Sequence, residues 1–205
     1  IYTGEDTLSL HDALPILTFR NRYGIILAAD MYIPRNAEGK LPAIAVSGPF
    51  GAVKEQASGL YAQALAERGF LTIAFDPSYT GESDGEPRYV ASPDINTEDF
   101  CAAVDFLSIR DDVDAERIGI LGICGWGGMA LNAAAIDTRI KATVTVTMYD
   151  MSRVNANGYF DSMNADARYE LRKQLNAQRT EDARNGSYAL AGGVVDPLPV
   201  DAPQF

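Results

Sequence analysis

Apolar residues fall in short runs along this chain, and glycine, proline or acidic residues bound each run. From Leu17 the pattern predicts two strands, 17–20 and 25–33, around a turn-like stretch at 21–24 that carries Gly24. PAIAV at 42–46 is a continuous apolar run, which suits a strand buried on both faces. The Gly/Pro loop SGPFGA follows at 47–52. Residues 54–68 then show helical spacing at Ala57, Leu60, Tyr61, Ala64 and Leu65, with Gly69 placed as the stop. FLTIAF at 70–75 reads as a second buried strand, ending in Asp76 and the loop PSYTGESDGEPR. Asn96 is expected to cap a helix with Phe100, Ala103, Val104 and Leu107 on one face. IGIL at 118–121 is a third buried strand, 122–128 a glycine-rich turn, 129–136 a helix, and 141–148 a β-rich run. Strands alternating with helices predict βαβ units and a mostly parallel sheet.

Both ends differ from this middle. Residues 1–16 show no sustained period and read as a non-native or disordered N-terminal segment. Residues 149–159 read as loop. Residues 164–184 form one long charged helical candidate whose only sizeable apolar residues are Tyr169, Leu171 and Leu175. Residues 192–205 carry three prolines and no period. The expected organisation is therefore a core over 17–150 and a cap-like helical segment with a Pro-rich tail over 151–205. The 164–184 helix reads equally as a lid or as a plain solvated face.

Composition narrows the function classes. The 205 residues are 47% apolar and 22% charged, which fits a globular domain rather than a disordered chain. Lys plus Arg number 17 and Asp plus Glu 28, a formal net charge of −11, with a pI near 4.5. This balance argues against nucleic acid as a partner. No apolar run approaches the roughly 20 residues of a membrane span, and no charged segment leads an apolar leader. The expectation is a cytoplasmic protein with a small-molecule substrate, no membrane partner and no cofactor. Two cysteines, Cys101 and Cys124, make neither a disulfide framework nor a four-ligand zinc site alone. One histidine, His11, limits any chemistry that needs an imidazole base.

The chemistry concentrates at Gly122-Ile-Cys124-Gly-Trp-Gly-Gly128. A buried strand runs into a tight turn and then a helix, the setting of a nucleophile elbow. Glycines flank Cys124, as the tight turn requires. Cys124 would project over the C-terminal edge of the sheet at a helix N-terminus, a position that favours a thiolate. The backbone N–H of Gly125 would be one oxyanion donor.

These residues resemble the α/β-hydrolase superfamily, and within it the bacterial branch related to dienelactone hydrolases with a G-x-C-x-G-G elbow. The resemblance runs roughly from Leu17 to Asp150. PAIAV followed by SGPFGA is similar to the strand and His-Pro-x-Gly loop that supplies the second oxyanion N–H, here Phe50. Asp76 and Tyr79-Thr-Gly-Glu-Ser83 are similar to the D-x-x-G-x-G-x-S loop, and DVDAERIGILGIC to the lead-in to the elbow. The resemblance implies a three-layer α/β fold with about six strands here and the last strands missing. It implies hydrolysis of an ester, lactone or thioester by Cys124, with Trp126 and Tyr79 on the substrate pocket.

The chain departs from the family pattern in three places. Trp126 stands where the elbow's final glycine is usual, and Gly48 where the loop's histidine is usual. The triad acid and histidine, expected after later strands, find no match, since no histidine follows Cys124. The chain reads as the N-terminal two-thirds of a longer enzyme, nearly inactive alone. Other residues have plainer readings. His11 lies upstream of the first strand. Cys101 is a small apolar filler. Asp150 occupies an acid position used in other hydrolases but not in this branch. Asp76 and Ser83 hold a loop. Trp126, Phe50 and Tyr79 suit core packing as well as a pocket wall. Two alternatives remain: a non-catalytic small-ligand module, and a redox-sensing thiol at Cys124.

Overall fold

The computed structural model describes residues 17–35 and 37–190. The chain divides after Tyr149 into two units, 1–149 and 150–205. The first contains β1 (Leu17–Arg20), β2 (Ile26–Tyr32), β3 (Leu41–Ser47), α1 (Ala57–Ala66), β4 (Leu71–Phe75), α2 (Pro93–Ser108), β5 (Val113–Ile123), α3 (Trp126–Ile136) and β6 (Ile140–Val146). The six strands form one sheet in the order β1-β2-β4-β3-β5-β6. β1 and β2 pair antiparallel, as do β2 and β4, while β3, β4, β5 and β6 run parallel.

Three layers follow from the two-residue alternation of the strands. Ala43, Ala45, Leu71, Ile73, Phe75, Ile118 and Ile120 pack with α2 and α3 on one face. Val46, Ala74, Leu121 and Ile123 pack with Ala62 of α1 on the other. β3 is covered on both faces, as its apolar run predicts.

The strand order reverses at β3: the chain goes from β3 to β4 on one side, then crosses to β5 on the other. The loops leaving β3 and β5 lead from the C-terminal edge of the sheet to helices on opposite faces. In open α/β sheets this is where ligands bind.

Several boundaries differ from the expectations for local reasons. α2 starts at Pro93 with Ser92 as its cap, because proline is preset for the first helical position. Asn96 is inside the first turn and does not cap it; its side chain accepts from the Ser92 N–H at 2.8 Å and donates to Asp99 at 3.0 Å. α3 begins at Trp126, three residues earlier than the periodicity suggested. α1 begins at Ala57 rather than at 54, because 53–56 form a turn. β6 ends at Val146, and Thr147 then takes a positive φ of 48°.

The second unit holds α4 (Met151–Asn157), a short 3-10 turn (Tyr159–Asp161) and α5 (Ala165–Asn185). The expected loop at 149–159 is thus largely a helix. Asp150 caps it, accepting the Arg153 N–H at 2.9 Å, and Gly158 at φ 73° ends it. α5 is capped by Asn164 and stopped by Gly186 in the left-handed conformation; it buries none of its residues, in keeping with its weak apolar stripe. Among the described residues no helix is long and apolar enough to cross a membrane. Residues 1–16 and 191–205, with His11 and the Pro-rich tail, lie outside the described residues.

Candidate functional site at the β5–α3 turn

Cys124 occupies the single step between Ile123 of β5 and Gly125, the cap of α3. Its φ is 58°, a left-handed conformation uncommon for a residue with a side chain. The turn is locked on both sides: the Cys124 N–H donates to Val146 O at 2.9 Å, and its carbonyl accepts the Gly127 N–H at 3.0 Å. Cys124 is half-buried. Backbone strain at a side-chain-bearing residue persists where the surroundings over-determine it.

Close approach explains two glycines. A Cβ on Gly122 would overlap the carbonyl of Trp126, so the strand and the first turn of α3 touch there. A Cβ on Gly127 would lie 2.7 Å from Met148 Cγ. Gly128, by contrast, has nothing within 4 Å of such a Cβ. Only the backbone of Trp126 faces Gly122, so an indole is tolerated where the family pattern has glycine. The side chain turns into the core, 2% exposed. It stands against Phe50, ring centroids 4.6 Å apart at 82°. Its indole N–H is buried with no acceptor among the described residues.

Phe50 belongs to the loop leaving β3, which lies directly beside the elbow. Ser47 pairs with Gly122 in register. A Cβ on Gly48, whose φ is 101°, would overlap Ile123 O and lie 2.9 Å from Trp126 Cβ. The two departures from the family pattern, Gly48 and Trp126, therefore occupy one tight contact. The structure brings Cys124, Gly125, Trp126 and Phe50 together. Neither the Phe50 nor the Gly125 N–H donates to an acceptor among the described residues, although Gly125 is buried. Buried backbone donors are nearly always paired, so the open N–H of Gly125, next in the chain to Cys124, stands out.

Tyr79 is in the loop after β4, and β3 separates β4 from β5. Its ring lies against Gly85 of its own loop. Cys101 is half-buried in α2; burial first, then the charges of Asp137 and Glu98, push its thiol up to about 11. That fits a filler. Asp150 is engaged as the α4 cap. Ser83 is buried, accepting the Ala28 N–H and donating to Asp76 O.

The periodicity missed a buried ion cluster. Lys54, expected at a helix start, is 1% exposed and pairs with Glu55, Glu82 and, at 3.7 Å, Asp76. Burial opposes the Lys54 charge, but its hydrogen bonds to Glu55 and Glu82 and the Asp76 charge outweigh it and hold the ammonium above the ordinary lysine range. Burial raises Asp76 despite the N–H bonds from Glu82 and Lys54, and burial also raises nearby Asp30. A lysine beside a Gly/Pro loop is the only sequence signal for this cluster. Among the described residues no group of three or more His, Cys, Asp or Glu is arranged to hold a metal ion. An apolar groove along Ile44, Leu65, Leu121, Ala142 and Val144 contains none of the candidate residues.

A model of the X-Pro dipeptidyl-peptidase (S15) family matches residues 23–192. The chain belongs to that family. Protein PA2218 of Pseudomonas aeruginosa is 66% identical over 174 residues, 84% of this chain and 47% of that protein. Its crystal structure superposes with a TM-score of 0.82 at 62% identity, covering 88% of this chain and 59% of that one. Thiohydrolase aneE of Aspergillus aculeatus is 33% identical over 123 residues, 60% of this chain and 38% of that protein. The α/β hydrolase GrgF of Penicillium shares the fold, with a TM-score of 0.71 at 24% identity over 85% of this chain and 56% of that one. The family and these neighbours place the chain in the α/β-hydrolase superfamily. The chain spans about half the length of the curated relatives it matches.

Proposed function

We propose that this chain carries the acyl-accepting part of a hydrolase site for ester, lactone or thioester bonds, similar to the dienelactone-hydrolase branch. The observation that carries the reading is Cys124 at φ 58° between β5 and α3, with the Phe50 loop against the same turn. The Cys124 sulfur attacks the carbonyl carbon. The N–H groups of Gly125 and Phe50 take the oxyanion, and its collapse expels the alcohol or thiol and leaves an acyl-cysteine. Trp126 braces the loop from within the core, and Tyr79 borders the substrate from the neighbouring loop. The thiohydrolase name of one relative supports a thioester among the substrates.

Water must then be activated to release the acyl group, which needs a base. No histidine follows Cys124. The 205-residue chain therefore acylates but turns over slowly. With p-nitrophenyl acetate, the expected result is a burst near one equivalent of nitrophenolate followed by a slow phase, with the burst lost in Cys124→Ala. A burst that survives Cys124→Ala, or rapid steady turnover that Cys124→Ala leaves intact, would overturn the reading.

The family match favours a second reading, in which the acyl donor is a peptide with proline at its second position. An X-Pro nitroanilide in place of the ester separates the two, because only this reading predicts a faster burst with the anilide.

A further inference from the structure

The loop between β3 and α1 holds the Phe50 N–H, and it is pinned at three points. At its start, Ser58 Oγ–H donates to Gly48 O at 2.6 Å, buried. In its middle, the Phe50 ring stands against Trp126. At its far end, the Lys54 N–H donates to Asp76 Oδ1 at 2.7 Å. Asp76 follows β4 directly and is fully buried. Its second oxygen accepts the Glu82 N–H at 2.9 Å and faces Lys54 Nζ at 3.7 Å. Its own N–H donates to Ala28 O at 2.9 Å. Gly81 makes room for this carboxylate, because a Cβ there would overlap it.

One carboxylate thus holds main-chain donors of two different loops and is itself held by the sheet. Removing this acceptor frees the end of the Phe50 loop, and Cys124 lies two strands away. We infer that Asp76 is a positioning residue, which through the Lys54 N–H holds the Phe50 N–H where a carbonyl oxygen on Cys124 develops charge. This rests on the acyl-transfer reading above. Oxyanion stabilisation depends on donors fixed in advance, so a loop held at one end fewer loses that advantage without losing the thiol.

Two reactions of the same sulfur separate position from reactivity. Acylation by p-nitrophenyl acetate forms the S–C bond, passes through an oxyanion and expels nitrophenolate with the bonding pair. Alkylation by iodoacetamide forms the S–C bond and expels iodide without an oxyanion. In both, the thiol proton goes to buffer. The ratio of the two rate constants at Cys124, followed by peptide mass on the full 205-residue chain, cancels thiolate fraction and exposure.

Asp76→Ala, which leaves the Lys54 N–H without its acceptor, is expected to lower this ratio about tenfold to a hundredfold, approaching the loss of one oxyanion donor. A ratio within twofold of the parent chain overturns the inference. If Asp76→Ala loses its circular dichroism, the double variant Asp76→Ala with Lys54→Met removes both buried charges together, and the same two outcomes apply. If the parent chain's ratio is no greater than that of a small free thiol, the acyl-transfer reading fails, and the inference with it. That result is visible before any variant is made.

Discussion

The ring of Phe50 stands edge-on to the indole of Trp126, with centroids 4.6 Å apart. One ring belongs to the loop after β3 and the other to the first turn of α3, so this contact joins the two segments that carry the candidate N–H donors. Trp126→Ala should cost about 3–5 kcal/mol of stability by urea unfolding, because it empties a buried aromatic site. Trp126→Phe should cost far less, since it also removes an indole N–H buried without an acceptor. Equal costs for the two variants would show that the indole N–H has a partner.

The glycines of the elbow are not equivalent. Gly122→Ala drives a methyl into the Trp126 carbonyl and should destabilise by about 1–3 kcal/mol. Gly128→Ala meets nothing and should stabilise the helix by up to about 1 kcal/mol. Thermal melts of the two variants should therefore move in opposite directions.

Much of this was legible in the sequence. The apolar runs at 42–46, 70–75 and 118–121 became β3, β4 and β5, because a strand buried on both faces leaves no polar alternation to misread. The elbow stood out through the glycines around Cys124. Asn96 misled because its side chain suits a cap, while Pro93 had already set the first helical position. Asp150, weighed only as an acid, concealed a helix cap. Lys54 was illegible for a physical reason: a lysine normally signals surface, and its burial depends on Asp76, which is 22 residues further along and reaches it only through the β3–β4 pairing.

The buried pair gives a stability prediction of its own. Lys54 and Asp76 side chains are each 1% exposed. Lys54→Met leaves the Asp76 carboxylate buried without its cation and should cost about 3–5 kcal/mol. Glu55 and Glu82 are half-exposed, so Glu55→Gln should cost well under half of that. Urea midpoints at neutral pH compare the variants, and equal losses would contradict the assignment of the pair.

The two thiols should part with pH. Burial pushes Cys101 up to about 11, so at pH 8 roughly one such thiol in a thousand is ionised. Its alkylation by iodoacetamide should keep rising from pH 9 to 11. A thiol raised above its ordinary value stabilises the fold fully below about pH 9, and that contribution is lost as pH climbs toward 11. A Cys101 rate that levels off by pH 9 would contradict this burial effect.

The central claim is that Cys124 accepts an acyl group because of where the β5–α3 turn holds it. The most direct test is to incubate the native chain with a simple acyl thioester and map the adduct by peptide mass. The account predicts one acyl group per chain, on Cys124 and not on Cys101, and none on either cysteine of the Cys124→Ala variant. An adduct shared evenly between the two cysteines, or one that forms as fast on urea-unfolded chain, would contradict it.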